Sequence, residues 1–200
     1  MNRIALPAVL LLGVFALGAC TDTPVEPVSA SFAVDVPSEN RGAASLRAPA
    51  PGAESIAEIA IGAGFDELVG ALVYVDEELG AGLVDLFLNG TDQYTVFAPT
   101  NEAFEGLYGA LEIDEISDLP AELVLDVLLY HVVEGRRAAN SVVPPVRPRT
   151  ITTLLGATFT VDRNGVITDI AGQAANIVAA DISASNGIIH VIDTVILPLG

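Results

Sequence analysis

The hydrophobic period is mainly helical in the first part of the domain segment and strand-like in the last, and that order restricts the fold more than any single residue does. Phe65, Leu68, Val69, Leu72 and Val75 recur at helical spacing, with Asp66 and Glu67 in the first turn, where a helix favours negative charge. Ile56, Ile59 and Ala60 begin an earlier helical stripe that breaks at Gly62 to Gly64, and Leu83 to Leu88 makes a third short one. Tyr94 to Ala98 is rich in β-branched and aromatic residues and reads as a strand that Pro99 stops. Thr100 or Asn101 then caps a helix carrying Ala103, Phe104 and Leu107, and Pro120 opens another from about Ala121 to Val133. Arg136 to Arg149 contains Pro144, Pro145 and Pro148 and reads largely as loop. Beyond it the period becomes two. Ile151 to Leu155 leads into Ala157, Phe159 and Val161, which alternate with Thr158, Thr160 and Asp162. Asn164-Gly165 is expected to be a two-residue hairpin turn of the mirror-image type, followed by strands at Val166 to Ile170, Asn176 to Ile182 and Ile188 to Val195. Helices first and strands later is an α+β pattern.

The first 54 residues follow different rules. Met1-Asn-Arg3, the 15-residue apolar run Ile4 to Gly18 and the small residues before Cys20 fit a secretory signal over residues 1–19. Fifteen residues are short for a membrane span, which needs about 20. Cys20 is the only cysteine, so no internal disulfide can form. Leu17-Gly-Ala-Cys20 resembles the bacterial lipoprotein lipobox, which implies cleavage before Cys20 and acylation of its thiol and new amino group. Thr21 is not the Asp associated with inner-membrane retention, so the resemblance points to the outer membrane. Thr21 to Glu54 holds five prolines and no sustained period; with Cys20 it reads as a tether over residues 20–54. A flexible chain of this length reaches about 30 Å. The folded domain is expected over residues 55–200.

Three blocks in the domain segment carry a family resemblance. They are Thr95-Val-Phe-Ala-Pro-Thr-Asn-Glu-Ala-Phe104, the pair Tyr130-His131, and Asn186-Gly-Ile-Ile-His-Val-Ile-Asp-Thr-Val-Ile-Leu-Pro198. Their order and spacing resemble the signature blocks of fasciclin-like domains. That resemblance implies a wedge-shaped β-sandwich flanked by short helices. It also implies a non-catalytic adhesion or binding module at the cell surface, whose partner is an extracellular protein or polysaccharide. Thr95, Phe97, Pro99, Thr100, Phe104, Gly187, His190 and Asp193 are its architectural positions here. In the family a Tyr-His motif is linked to adhesion, which carries over to Tyr130 and His131 as candidate contact residues. Their positions leave a second reading open: Val124, Val127, Leu128 and His131 follow helical spacing, which puts His131 on an apolar stripe as a core group. Because some members are reported to bind pigment, an apolar groove carrying a pigment or lipid is the alternative function.

Other chemistry finds little to stand on. Two histidines and a cysteine assigned to lipid leave few zinc ligands, and no cofactor motif is present. There is neither a Gly-x-Ser-x-Gly elbow nor a His-Glu-x-x-His, and pairs such as Glu77-Glu78 and Asp114-Glu115 read as solvated surface. Asp162, Asn164 and Gly165 lack calcium-loop spacing. A formal charge of -18, with every basic residue an arginine, argues against nucleic acid and leaves the lipid anchor as the contact with membrane. Salt adaptation and a GC-rich genome both account for that composition. The Arg136, Arg137, Arg147 and Arg149 cluster could grip an acidic polymer or offset neighbouring carboxylates.

Overall fold

The computed structural model describes residues 50–198. The expected signal at 1–19, Cys20 and the tether as far as residue 49 lie outside the described residues.

Ser55 starts the first helix, α1 (Ile56–Gly62), through a capping box: its side chain accepts from the Glu58 amide while the Glu58 carboxylate accepts from the Ser55 amide. α2 (Asp66–Leu79) and α3 (Leu83–Asn89) follow, with Asp76 accepting the Leu83 and Val84 amides at 2.8 Å each. β1 (Tyr94–Pro99) leads to Thr100, whose hydroxyl caps α4 (Asn101–Leu111). A 3-10 turn at Ile116–Asp118 precedes α5 (Ala121–Tyr130).

α5 ends three residues before the periodicity suggests. Val132–Glu134 leave the helical path as β2 and pair antiparallel with Tyr94–Val96. Two adjacent β-branched valines gain more from a ladder beside β1 than from another helical turn. Within the expected loop a four-residue helix, α6 (Ala139–Val142), forms because Asp181 accepts the Ala139 amide at 2.7 Å from across the fold. β3 (Arg149–Thr152), β4 (Thr158–Val161), β5 (Val166–Thr168), β6 (Ala174–Ser183) and β7 (Gly187–Ile192) complete the chain.

The β4–β5 turn departs from the mirror-image form expected of Asn-Gly. Gly165 has φ +81° but Asn164 does not take positive φ. Asp162 accounts for the difference: its carboxylate accepts the Asn164 and Val166 amides at 2.8 and 2.9 Å, and the Gly165 amide bonds the Asp162 carbonyl. The loop therefore spans three residues with a left-handed glycine at its end.

The strands form one mixed sheet in the order β2-β1-β7-β6-β5-β4-β3, in which only β1–β7 is parallel. If it were flat, β1 and β4 would stand about 19 Å apart, four strand spacings. Yet the Phe97 and Phe159 rings meet edge to face with centroids 5.1 Å apart. The sheet folds over on itself, and β6 is where it turns. Residues 174–176 pair with β5, residues 177–183 pair with β7, and two register shifts and the positive φ of Asp181 lie in the latter stretch. The outer ends nearly close, since the Leu154 amide bonds the Val132 carbonyl at 2.8 Å. This is an α+β fold: a sandwich-like sheet with six helices among the described residues.

β1 and β7 are buried on both faces. Val96, Ala98, Ile189 and Val191 join the helical core, whereas Phe97 and Ile192 join the interior of the folded sheet with Tyr130, Phe159 and Ile167. Gly187 faces Tyr94 across the parallel ladder; a Cβ there would overlap the Tyr94 carbonyl oxygen and lie 2.7 Å from Ile56 Cδ1. Beside it Asn186, 3% exposed, ties three elements together. Its Oδ1 accepts the Ile56 amide and its Nδ2 donates to the Phe87 carbonyl, both at 2.9 Å. Asn186→Ala strands that amide and that carbonyl in the core. Urea unfolding should show a loss of about 2–4 kcal/mol; a loss below about 1 kcal/mol would mean the tie is dispensable.

Candidate functional site

The polar groups that could do chemistry sit against the β1–β7 pair, and the local sequence explains why each is held there. His131 closes α5 and is 2% exposed. Its Nδ1 lies 2.7 Å from the Val127 carbonyl, and its Nε2 accepts the Ile196 amide at 3.2 Å. Those partners require a neutral ring protonated at Nδ1. His190, fully buried on β7, uses the opposite tautomer. Its Nε2 donates to the Arg137 carbonyl at 2.9 Å and its Nδ1 accepts the Asp181 amide at 3.3 Å. Burial pushes His131 down to about 4, with the Val127 carbonyl opposing, and pushes His190 down against the Arg137 carbonyl and the Asp181 charge.

Tyr130 is fully buried in the sheet interior; its hydroxyl donates to the Thr158 carbonyl at 2.9 Å and its ring meets Phe159 edge to face. Of the two readings open for Tyr130 and His131, this burial is that of core groups. Neither side chain can touch a partner while the packing stays closed. Thr95 is also fully buried, donating to the Gly135 carbonyl at 2.6 Å and accepting the Arg137 amide at 2.8 Å. Phe97 packs against His190 with ring centroids 5.5 Å apart, Pro99 is buried, and Phe104 is 3% exposed in the helical core. Asp193 is exposed and bonds Asn176 twice, at 2.8 Å to its amide and 2.8 Å to its side chain, locking the far end of β6 to the chain after β7. Partial burial raises its pKa, but the Asn176 bonds outweigh this and leave it below the ordinary carboxylate value.

Arg136 corrects the reading of the basic cluster. Its guanidinium is turned inward onto the β6–β7 turn, donating to the Gly187 carbonyl at 2.5 Å, the Ala184 carbonyl at 2.9 Å and the Ser183 hydroxyl. A further bond to the Ala50 carbonyl at 3.3 Å pins the start of the described chain there. Asn186 was not a candidate from sequence, although it opens the third signature block, and Arg136 was read there only as one of the basic cluster. Glu77, Glu78, Asp114 and Glu115 are all exposed. Among the described residues no three His, Cys, Asp or Glu side chains converge as metal ligands would, and no helix is long and apolar enough to cross a membrane.

The remaining candidate is the helical layer itself. A cavity of about 110 Å³ lies between α2, α4 and α5, and another of about 140 Å³ lies between α1, α2, α3 and β2. Leu68, Leu128 and His131 form the shared partition, and both walls are hydrocarbon.

A family model described as the fasciclin domain matches residues 71–198. Protein sll1483 of Synechocystis is 35% identical over 161 residues, covering 79% of this chain and 81% of its own length. Immunogenic protein MPT70 of Mycobacterium tuberculosis is 39% identical over 116 residues, covering 58% of this chain and 54% of that protein. Cell surface glycolipoprotein MPB83 of Mycobacterium bovis is 38% identical over 116 residues, with coverages of 58% and 48%. The chain thus spans about half the length of these two mycobacterial relatives. Among solved structures, the FAS1 domain pair of the insect cell adhesion molecule fasciclin I aligns with a TM-score of 0.46 and 23% identity, over 65% of this chain and 45% of that one.

Two measurements check the site. A histidine whose folded pKa is depressed binds more protons when unfolded, so its stabilising effect is complete above 6.5 and fades as pH falls toward the folded value. From pH 7 to pH 5, where most carboxylates remain ionised, the unfolding free energy should drop by at least about 2 kcal/mol. A flat profile contradicts buried neutral rings. Separately, Tyr130→Phe should cost about 1 kcal/mol of stability through the bond to Thr158. Loss of partner binding at unchanged stability would instead restore the contact reading.

Proposed function

This chain belongs to the fasciclin domain family, and we propose that it is a non-catalytic contact module of the bacterial envelope, held by lipid on Cys20 and lifted from the membrane by its Pro-rich segment. One observation carries this reading. Among the described residues no buried side-chain nitrogen or oxygen lacks a hydrogen-bond partner, and both imidazoles spend both nitrogens on backbone groups. An interior so committed serves rigidity, which suits recognition by shape. Support for the location comes from the lipobox-like Leu17-Gly-Ala-Cys20 and from MPB83, which is a cell surface glycolipoprotein. Thr21 in place of Asp favours the outer membrane, and the partner is an extracellular protein or polysaccharide.

The hydrocarbon-walled cavities favour a second reading, a carrier of a small apolar ligand. Extraction of the purified protein with organic solvent separates the two: a stoichiometric lipid or pigment supports the carrier, and its absence supports the contact module.

For the anchor, Cys20→Ala should move the protein from the membrane fraction to the soluble fraction. Surfaces coated with the Cys20→Ala protein should retain the producing cells. Continued membrane association removes the lipid anchor from this account, and failure to retain cells removes adhesion.

A further inference from the structure

The cavity between α2, α4 and α5 carries an inference that rests on the carrier reading and names the class of ligand. His131 is the one polar side chain among the residues that line it, and both of its nitrogens are already bonded, to Val127 and Ile196. A buried guest therefore receives no hydrogen bond there, and a head group taken inside would lose its water without replacement. Only hydrocarbon fits. An apolar cavity of about 150 Å³ stays dry and accepts a small hydrocarbon, so about 110 Å³ suits a short alkyl segment.

The mouth selects the head group. Along its lining Leu111 is exposed, and Ile116, Leu119, Leu123 and Val127 are partly exposed. Their neighbours along the chain are exposed carboxylates, Glu115, Asp118, Glu122 and Asp126. The asymmetry extends well beyond the rim. Residues 50–135 carry eighteen carboxylates and no arginine or lysine, whereas all five described arginines lie between 136 and 163. A low-dielectric opening lined by one sign of charge concentrates the field at its entrance.

We propose that this cavity takes the tail of a single-chain amphiphile whose cationic head rests at the carboxylate rim, and that it discriminates against fatty-acid anions. The test uses three probes of equal tail, decylammonium, decanol and decanoate, each below its micellar concentration. They are titrated calorimetrically into the Cys20→Ala protein. At about 0.01 M salt, where the screening length is about 30 Å, decylammonium should bind at least about tenfold more tightly than decanoate, with decanol between. Near 1 M salt, where that length is about 3 Å, the three should converge.

Methyl resonances of Leu123 and Val127 should shift with all three probes. The exposed double variant Glu122→Gln, Asp126→Asn should narrow the gap between the ions and leave decanol unchanged. Equal or tighter decanoate binding, a ranking insensitive to salt, an unchanged gap in the double variant, or shifts spread over the whole acidic surface each overturn the proposal. Binding of none of the three removes the carrier reading with it. Decanol binding without charge preference removes the head-group assignment alone.

Discussion

A parallel strand pair buried on both faces sets the terms for everything around it. β1 and β7 run side by side with helices against one surface and the folded sheet against the other, which shuts Thr95, His131, Asn186 and His190 away from water. An unpaired buried group costs about 1–3 kcal/mol, and the neighbourhood holds many: the start of α1, the end of α3, the last turn of α5, the turn after β2, the bulge in β6, the β6–β7 turn and the segment after β7. Asn186, Thr95, His131, His190 and Arg136 each answer two or more of these with one side chain. The signature blocks are therefore the residues that let two chain segments, distant in sequence, lie together in a dry interior.

The histidines show how architecture can imitate an active site. Two imidazoles, a tyrosine and a threonine gathered near one strand pair would suggest proton transfer if read by composition. Their bonds say otherwise, because the rings take opposite tautomers and each bridges two backbone groups. A ring so placed has no lone pair or proton to offer a substrate.

Much of this was legible in the chain, and the exceptions share a cause. Helical spacing located α1 to α4 because each has one apolar stripe facing one core. The three blocks identified the family because they code for packing and capping that local sequence can express. α5 was overextended because Val132 and Val133 suit a helical stripe as well as a ladder, and only the presence of β1 decides between them. α6 depends on Asp181, a residue 42 positions away. Asn164-Gly165 looked like a mirror-image turn until the Asp162 carboxylate claimed the loop amides. Arg136 read as part of a basic surface, since no sequence pattern shows that carbonyls of the β6–β7 turn converge on it.

The helical layer adds something that the signature blocks do not explain. It surrounds hydrocarbon cavities, and residues 50–135, which hold five of the six helices, carry eighteen of the twenty-two described carboxylates, while the five described arginines all follow them. The cavities are tied to the β1–β7 staples through His131, which with Leu68 and Leu128 forms the partition between them. The most direct test of that account is a long-range proton–nitrogen correlation spectrum of the two imidazoles near pH 6. Neutral rings of opposite tautomer, His131 protonated at Nδ1 and His190 at Nε2, are the predicted result. Doubly protonated rings, or fast exchange between tautomers, would contradict it.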